Sequence, residues 1–188
     1  MIKIGITGSL ASGKTTASRI LSNKQRPLFS ADLEVKKLYN DKNFKLIISK
    51  KFAIKNNNQI KKSLKELIFK NKLNLKKLEK IIHPLVRKKM KKFTIKNKNK
   101  KILLYEIPLL IESKLMKNFN VIIFIRSKKK LRLRRFKLRR GNKSLFNLLN
   151  SKQMSDKKKI RLCDYVVVNN KNLKILKKNL ISIISKYE

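Results

Sequence analysis

The run Gly8-Ser9-Leu10-Ala11-Ser12-Gly13-Lys14-Thr15 has the spacing G-x-x-x-x-G-K-[ST] of a phosphate-binding loop. Its residue types say what it can do. Glycines let the backbone turn tightly and press its amides against phosphate oxygens. The helix that follows adds free N–H groups and a favourable dipole at its amino end. The lysine reaches the outer phosphates, and the hydroxyl after it helps to hold magnesium. Three of the chain's four glycines, Gly5, Gly8 and Gly13, fall in this short stretch, which argues against a glycine turn with a chance Lys-Thr. Lys14 and Thr15 are therefore expected at the phosphates, Thr15 also at the metal. The motif specifies a nucleotide and leaves the reaction open.

A loop of this kind works between a strand and a helix, and the flanking sequence supplies both. Ile2 to Ile6 is short and apolar, and Gly13 to Leu21 has helical spacing. Leu28 to Ser30 reads as a second strand, followed by helical spacing from Leu33 to Tyr39. From Phe44 to Lys101 the apolar residues recur at helical intervals, with a polar break at Lys55 to Gln59. Ile102 to Ile107 and Val121 to Ile125 have the length and apolarity of inner strands. Helices are expected over Lys128–Arg140 and Ser144–Ile160, then a last strand, Tyr165 to Val168, and a last helix, Leu173 to Tyr187. Strands alternating with helices predict an α/β fold, a parallel sheet covered on both faces with ligands at the carboxyl ends of the strands.

A chain of 188 residues fits one compact domain. Its 52 Lys and Arg against 10 Asp and Glu give a formal charge of +42, which raises the question of a nucleic-acid partner. Lysine, however, recurs along almost the whole length instead of collecting in one arm or docking motif, so no specific nucleic acid is expected. The single cysteine, Cys163, cannot form an internal disulfide. No apolar stretch approaches the roughly 18 to 20 residues of a membrane helix, and the basic amino terminus runs into a strand without a signal-peptide core. No membrane association is expected, and a cytoplasmic location is.

Several separated segments then match one family in order. Ile4 through Thr16 resembles the phosphate loop of the dephospho-coenzyme A kinases, and Ser30-Ala31-Asp32 resembles their Asp-Ala-Asp. Ile82-His83-Pro84-Leu85 is similar to their His-Pro segment, and Ile107 through Glu112 to their Pro-Leu-Leu-x-Glu. Arg135 and Arg139 stand where lid arginines are expected, Gln153 where a lid-flanking Gln is, and Cys163 through Asn169 resembles Ala-Asp-x-Val-Ile-x-Asn. The chain departs from the pattern at Ser30, which replaces an acid, at Ser9 and Ala11, which replace loop glycines, and at Lys62, where an Arg is usual.

The resemblance implies a three-layer P-loop NTPase fold with a helical acceptor-binding insertion over about 41–100 and a basic lid over about 128–160. The remaining core would comprise about 1–40, 101–127 and 161–188. It implies transfer of the ATP gamma-phosphoryl group to the ribose 3'-hydroxyl of dephospho-coenzyme A, with Mg2+ as cofactor and a monomer or weak oligomer as the working form. Gly8, Ala11, Ser12, Gly13, Lys14, Thr15, Thr16 and Asn169 would hold the nucleotide. Asp32 would bind the acceptor and act in catalysis with Lys14, Arg135 and Arg139, while His83 and Glu112 would contact the acceptor. Glu106, at a strand end near the loop, is expected at the magnesium.

Plainer roles stand beside these. Asp32 can cap the following helix; His83 before a proline can be structural; Glu106 and Glu112 can form ordinary salt bridges. Arg132, Arg135 and Arg139 fall on one helical face, which suits phosphates and also a solvated surface. A nucleoside monophosphate kinase is the nearest rival, and a basic nucleic-acid-binding protein a more distant one.

Overall fold

The computed structural model describes residues 1–54, 59–71 and 73–188. The polar break expected at Lys55–Gln59 falls, for residues 55–58, outside them. The chain forms two compact units: a sheet unit, Met1–Ser30 with Asn97–Glu188, and a helical unit, Ala31–Lys96.

The sheet unit is built on five parallel strands: β1 (Ile2–Gly8), β2 (Leu28–Ser30), β3 (Ile102–Glu106), β4 (Val121–Arg126) and β5 (Tyr165–Val168). Their order is β2-β3-β1-β4-β5. β1 therefore lies in the middle, paired with β3 (Ile6 beside Glu106) and with β4 (Gly8 beside Ile125). Alternation along each strand divides the apolar residues between two faces. Ile4, Ile6, Ile102, Leu104, Val121, Ile123 and Ile125 pack with Ala17 and Leu21 of α1 (Lys14–Leu21) and with Leu176, Leu180 and Ile184 of the last helix. On the other face Tyr105 meets Phe29 and Phe119, with ring centroids 6.0 and 5.3 Å apart. This is the doubly covered parallel sheet that the near-continuous apolar strands predict.

The helical unit contains α2 (Ala31–Leu38), α3 (Lys42–Phe52), α4 (Ile60–Lys70) and α5 (Leu73–Lys96). Phe44, Ile48, Ile60, Leu64 and Leu78 form its core. Its first helix starts at Ala31, directly after β2, and packs on α5, so the helical unit begins earlier than position 41.

Back in the sheet unit, β4 is followed by α6 (Lys129–Lys137), α7 (Lys143–Ser151), α8 (Asp156–Ile160), β5 and α9 (Leu173–Ile184). The single helix expected over Ser144–Ile160 is instead two. Ser155 caps a new helix by accepting from the Lys158 amide, and the Met154 amide bonds to Glu112 instead of continuing α7. A polar capping residue in mid-pattern ended the helix where apolar spacing alone would have carried it on.

Candidate active site

The phosphate loop leaves β1 at Gly8 and enters α1 at Lys14. Gly13 precedes the helix at φ 98, a left-handed conformation that favours glycine. A Cβ there would also lie 2.2 Å from Asn169 Nδ2. That amide nitrogen donates to Ser12 O at 2.8 Å, so Asn169, just past β5, holds the loop at Ser12. Ala11 sits at φ 57, a left-handed position for which the glycine it replaces would be unstrained. Lys14 Nζ donates to Gly8 O and Ser9 O, both at 3.0 Å, and so curls back over its own loop.

Below the loop the hydroxyls of two elements converge on one carboxylate. Thr15 Oγ1 donates to Glu106 Oε1 at 2.5 Å, and Ser30 Oγ donates to Glu106 Oε2 at 3.0 Å. Glu106 is 2% exposed and stands beside Ser30 in the β2–β3 register. Ser30, the residue that replaces an acid, thus gives this carboxylate a donor where an acid would set a second negative charge beside it. All donors in the cluster are hard oxygens, the kind magnesium takes. Among the described residues no group of three or more His, Cys, Asp or Glu is placed to hold a metal. One carboxylate and two hydroxyls suit an ion that keeps waters and substrate phosphates as its other ligands.

Of the three arginines expected to share a face, two reach the loop. Arg135 Nη1 donates to Ser12 O (3.3 Å) and Ser127 Oγ (3.1 Å), and its Nη2 to Asn169 O (3.0 Å). Burial, and secondarily the charge of Arg139, lowers the Arg135 pKa from its ordinary value. Arg139 itself is exposed and lies past the end of α6. Arg132 is almost fully buried: its Nε donates to Ser127 O, its Nη1 to Leu10 O (3.3 Å) and Asn150 Oδ1 (2.7 Å), and its guanidinium lies over the Phe146 ring. Burial lowers its pKa too, while Asp156 opposes that shift.

Glu112 has its Oε1 between the Met154 amide and Lys159 Nζ. In the helical unit, Asp32 is exposed in the first turn of α2, and His83 is exposed on α5, one residue before Pro84. Sequence reasoning did not single out Ser127, Asp156 or Lys159. Each acts by a contact to a distant part of the chain and belongs to no local spacing pattern.

A profile of the family described as dephospho-CoA kinase matches residues 2–174. The dephospho-CoA kinase of Fusobacterium nucleatum is 36% identical over 182 residues, covering 94% of this chain and 94% of its own. That of Bartonella henselae is 32% identical over 186 residues, with 96% and 95% covered. The crystal structure of TT1252 from Thermus thermophilus superposes with a TM-score of 0.81 at 23% identity, covering 100% of this chain and 98% of that one, a likeness of fold. With a matching profile over most of its length and relatives of this identity spanning it almost end to end, the chain belongs to the dephospho-CoA kinase family.

Proposed function

We propose that this chain transfers the gamma-phosphoryl group of ATP to the ribose 3'-hydroxyl of dephospho-coenzyme A, releasing ADP and coenzyme A. The nucleotide side of the reading is carried by the loop, with Gly13 fixed against Asn169 and Lys14 and Thr15 at the start of α1, and the acceptor side by membership of the dephospho-CoA kinase family. Lys14 is near enough to its loop carbonyls to exchange them for phosphate oxygens without leaving the site.

In this reading the Asp32 carboxylate takes the proton of the 3'-hydroxyl. The freed oxygen forms a bond to the gamma-phosphorus as the bond from that phosphorus to the bridging oxygen of ADP breaks. Family resemblance supports the role, since Ser30-Ala31-Asp32 is similar to the family's Asp-Ala-Asp. Lys14 and Arg135 spread the charge that develops on the transferring oxygens. Arg139, with its side chain exposed, adds to them when substrate is bound. Thr15 and Glu106 would hold Mg2+, which would neutralise negative charge on the nucleotide. His83 and Glu112 complete the proposed acceptor side, and the enzyme works in the cytoplasm as a monomer or weak oligomer.

ATP consumption measured with and without dephospho-coenzyme A, beside a panel of nucleoside monophosphates, tests the acceptor. Consumption that depends on dephospho-coenzyme A is expected. Consumption driven by a monophosphate instead would move the assignment to that class of kinase.

A further inference from the structure

The segment from Gln153 to Lys159 bonds both to the phosphate loop and to Glu112. Toward the loop, Gln153 Oε1 accepts from the Leu10 amide at 3.0 Å, and Asp156 Oδ1 accepts from the Ser9 hydroxyl. Away from it, Glu112 Oε1 accepts from the Met154 amide at 3.2 Å and lies 2.7 Å from Lys159 Nζ. The lysine is 0% exposed. Its contact with Glu112 is ionic without hydrogen-bond alignment, and Glu112 Oε2 is buried with no hydrogen-bond partner among the described residues.

A buried ion pair is weak support for stability, because desolvating both charges offsets most of their attraction; its best-attested use is to fix one arrangement among several. Here the arrangement fixed is that of the residues that grip the outer limb of the phosphate loop. Ser9, one of the departures from the loop glycines, is what gives Asp156 its partner. Arg132 grips the same limb through Leu10 O.

We propose that the Glu112–Lys159 pair is a positioning device for the nucleotide site: it sets residues 153–156 so that Gln153 and Asp156 hold Ser9 and Leu10 in the shape that binds phosphates. Neither Glu112 nor Lys159 needs to touch the nucleotide for this. The inference rests on the loop as the nucleotide site and is independent of which acceptor is used.

The test reads nucleotide affinity directly, by titrating the full chain with a fluorescent ATP analogue and magnesium in the absence of acceptor. Lys159→Met combined with Glu112→Gln removes both charges, keeps side-chain volume and strands no lone buried ion. This double variant is expected to melt cooperatively yet bind the analogue about tenfold more weakly, the scale of loss that follows from misplacing a binding group. Adding Gln153→Ala to it should then cost much less than adding Gln153→Ala to the parent, because both changes release the same segment. A merely structural pair would shift the melting temperature and leave affinity within about twofold of the parent, and that result overturns the proposal. A second cycle, Ser9→Ala with Asp156→Ala, removes the Ser9–Asp156 hydrogen bond and leaves the Glu112–Lys159 pair in place. Each single change should weaken binding, and the two together no more than either; independent, additive losses or no loss at all overturn the proposal. Absent turnover with dephospho-coenzyme A would count against the acceptor reading, whereas unchanged nucleotide affinity counts against the positioning device.

Discussion

The Thr15 hydroxyl donates a 2.5 Å hydrogen bond to Glu106, which joins the first turn of the helix after the phosphate loop to the last residue of β3. Ser30 donates to the other oxygen of the same carboxylate. A glutamine at position 106 could still pair with both hydroxyls, since each can rotate to donate or accept. Glu106→Gln should therefore cost no more than about 1 kcal/mol of stability. Losing the charge should nevertheless raise the magnesium concentration needed for half-maximal nucleotide binding by about tenfold, the loss typical of altered metal-site partners. A metal titration followed by nucleotide fluorescence measures this, and an unmoved midpoint would remove Glu106 from the metal site.

Gly13 and Ala11 should respond in opposite ways. A Cβ on Gly13 meets Asn169 Nδ2 at 2.2 Å in a backbone conformation unfavourable to side chains, so Gly13→Ala should displace Asn169 from Ser12 and abolish measurable nucleotide binding. Ala11→Gly relaxes a left-handed residue by roughly 1 kcal/mol and returns about as much in chain entropy. Its melting temperature and affinity should stay close to those of the parent. Calorimetric titration of both variants against ATP checks the contrast.

Arg132 is predicted to be a structural support of the loop more than a phosphate ligand. Its guanidinium serves Ser127, Leu10 and Asn150 at once from a buried position. Arg132→Met should lower stability by about 2 to 3 kcal/mol, since it leaves buried acceptors without charged donors. Denaturant unfolding reads the loss. The exposed Arg139→Met should leave stability within about 0.5 kcal/mol of the parent and alter turnover instead.

Cys163 should be slow to alkylate. Burial, followed by the charge of Asp164, pushes its thiol up to about 11 from 9.0, with Lys159 opposing. At pH 8 that leaves about a hundredfold less thiolate than an unperturbed cysteine would have. The sign for stability follows: the unfolded thiol ionises first, so this group's contribution is intact below pH 9 and is lost as pH rises toward 11. Iodoacetamide labelling with and without denaturant tests the first statement, and a melt series across that window the second.

The fold was legible where a single local rule decided the element. Ile102–Glu106 and Val121–Arg126 are nearly unbroken apolar runs of strand length, and a buried parallel sheet is what such runs can make. The loop was legible because its glycines have few other uses in a chain with four. Two things were hidden. The break between α7 and α8 depends on Met154 finding an acceptor on Glu112, 42 residues earlier, which no periodicity records. Lys159 looks in sequence like one more basic residue in Lys157-Lys158-Lys159, yet it alone of the three is buried.

Phosphoryl transfer from ATP to dephospho-coenzyme A at this loop is tested most directly by the initial rate of coenzyme A formation with ATP and magnesium for the parent, Lys14→Ala and Asp32→Asn. Turnover is expected in the parent and a loss of about a hundredfold or more in each variant, with Asp32→Asn retaining nucleotide affinity because its part is played at the acceptor hydroxyl. A folded parent that binds ATP but forms no coenzyme A, or an Asp32→Asn enzyme that turns over at the parental rate, would contradict this assignment.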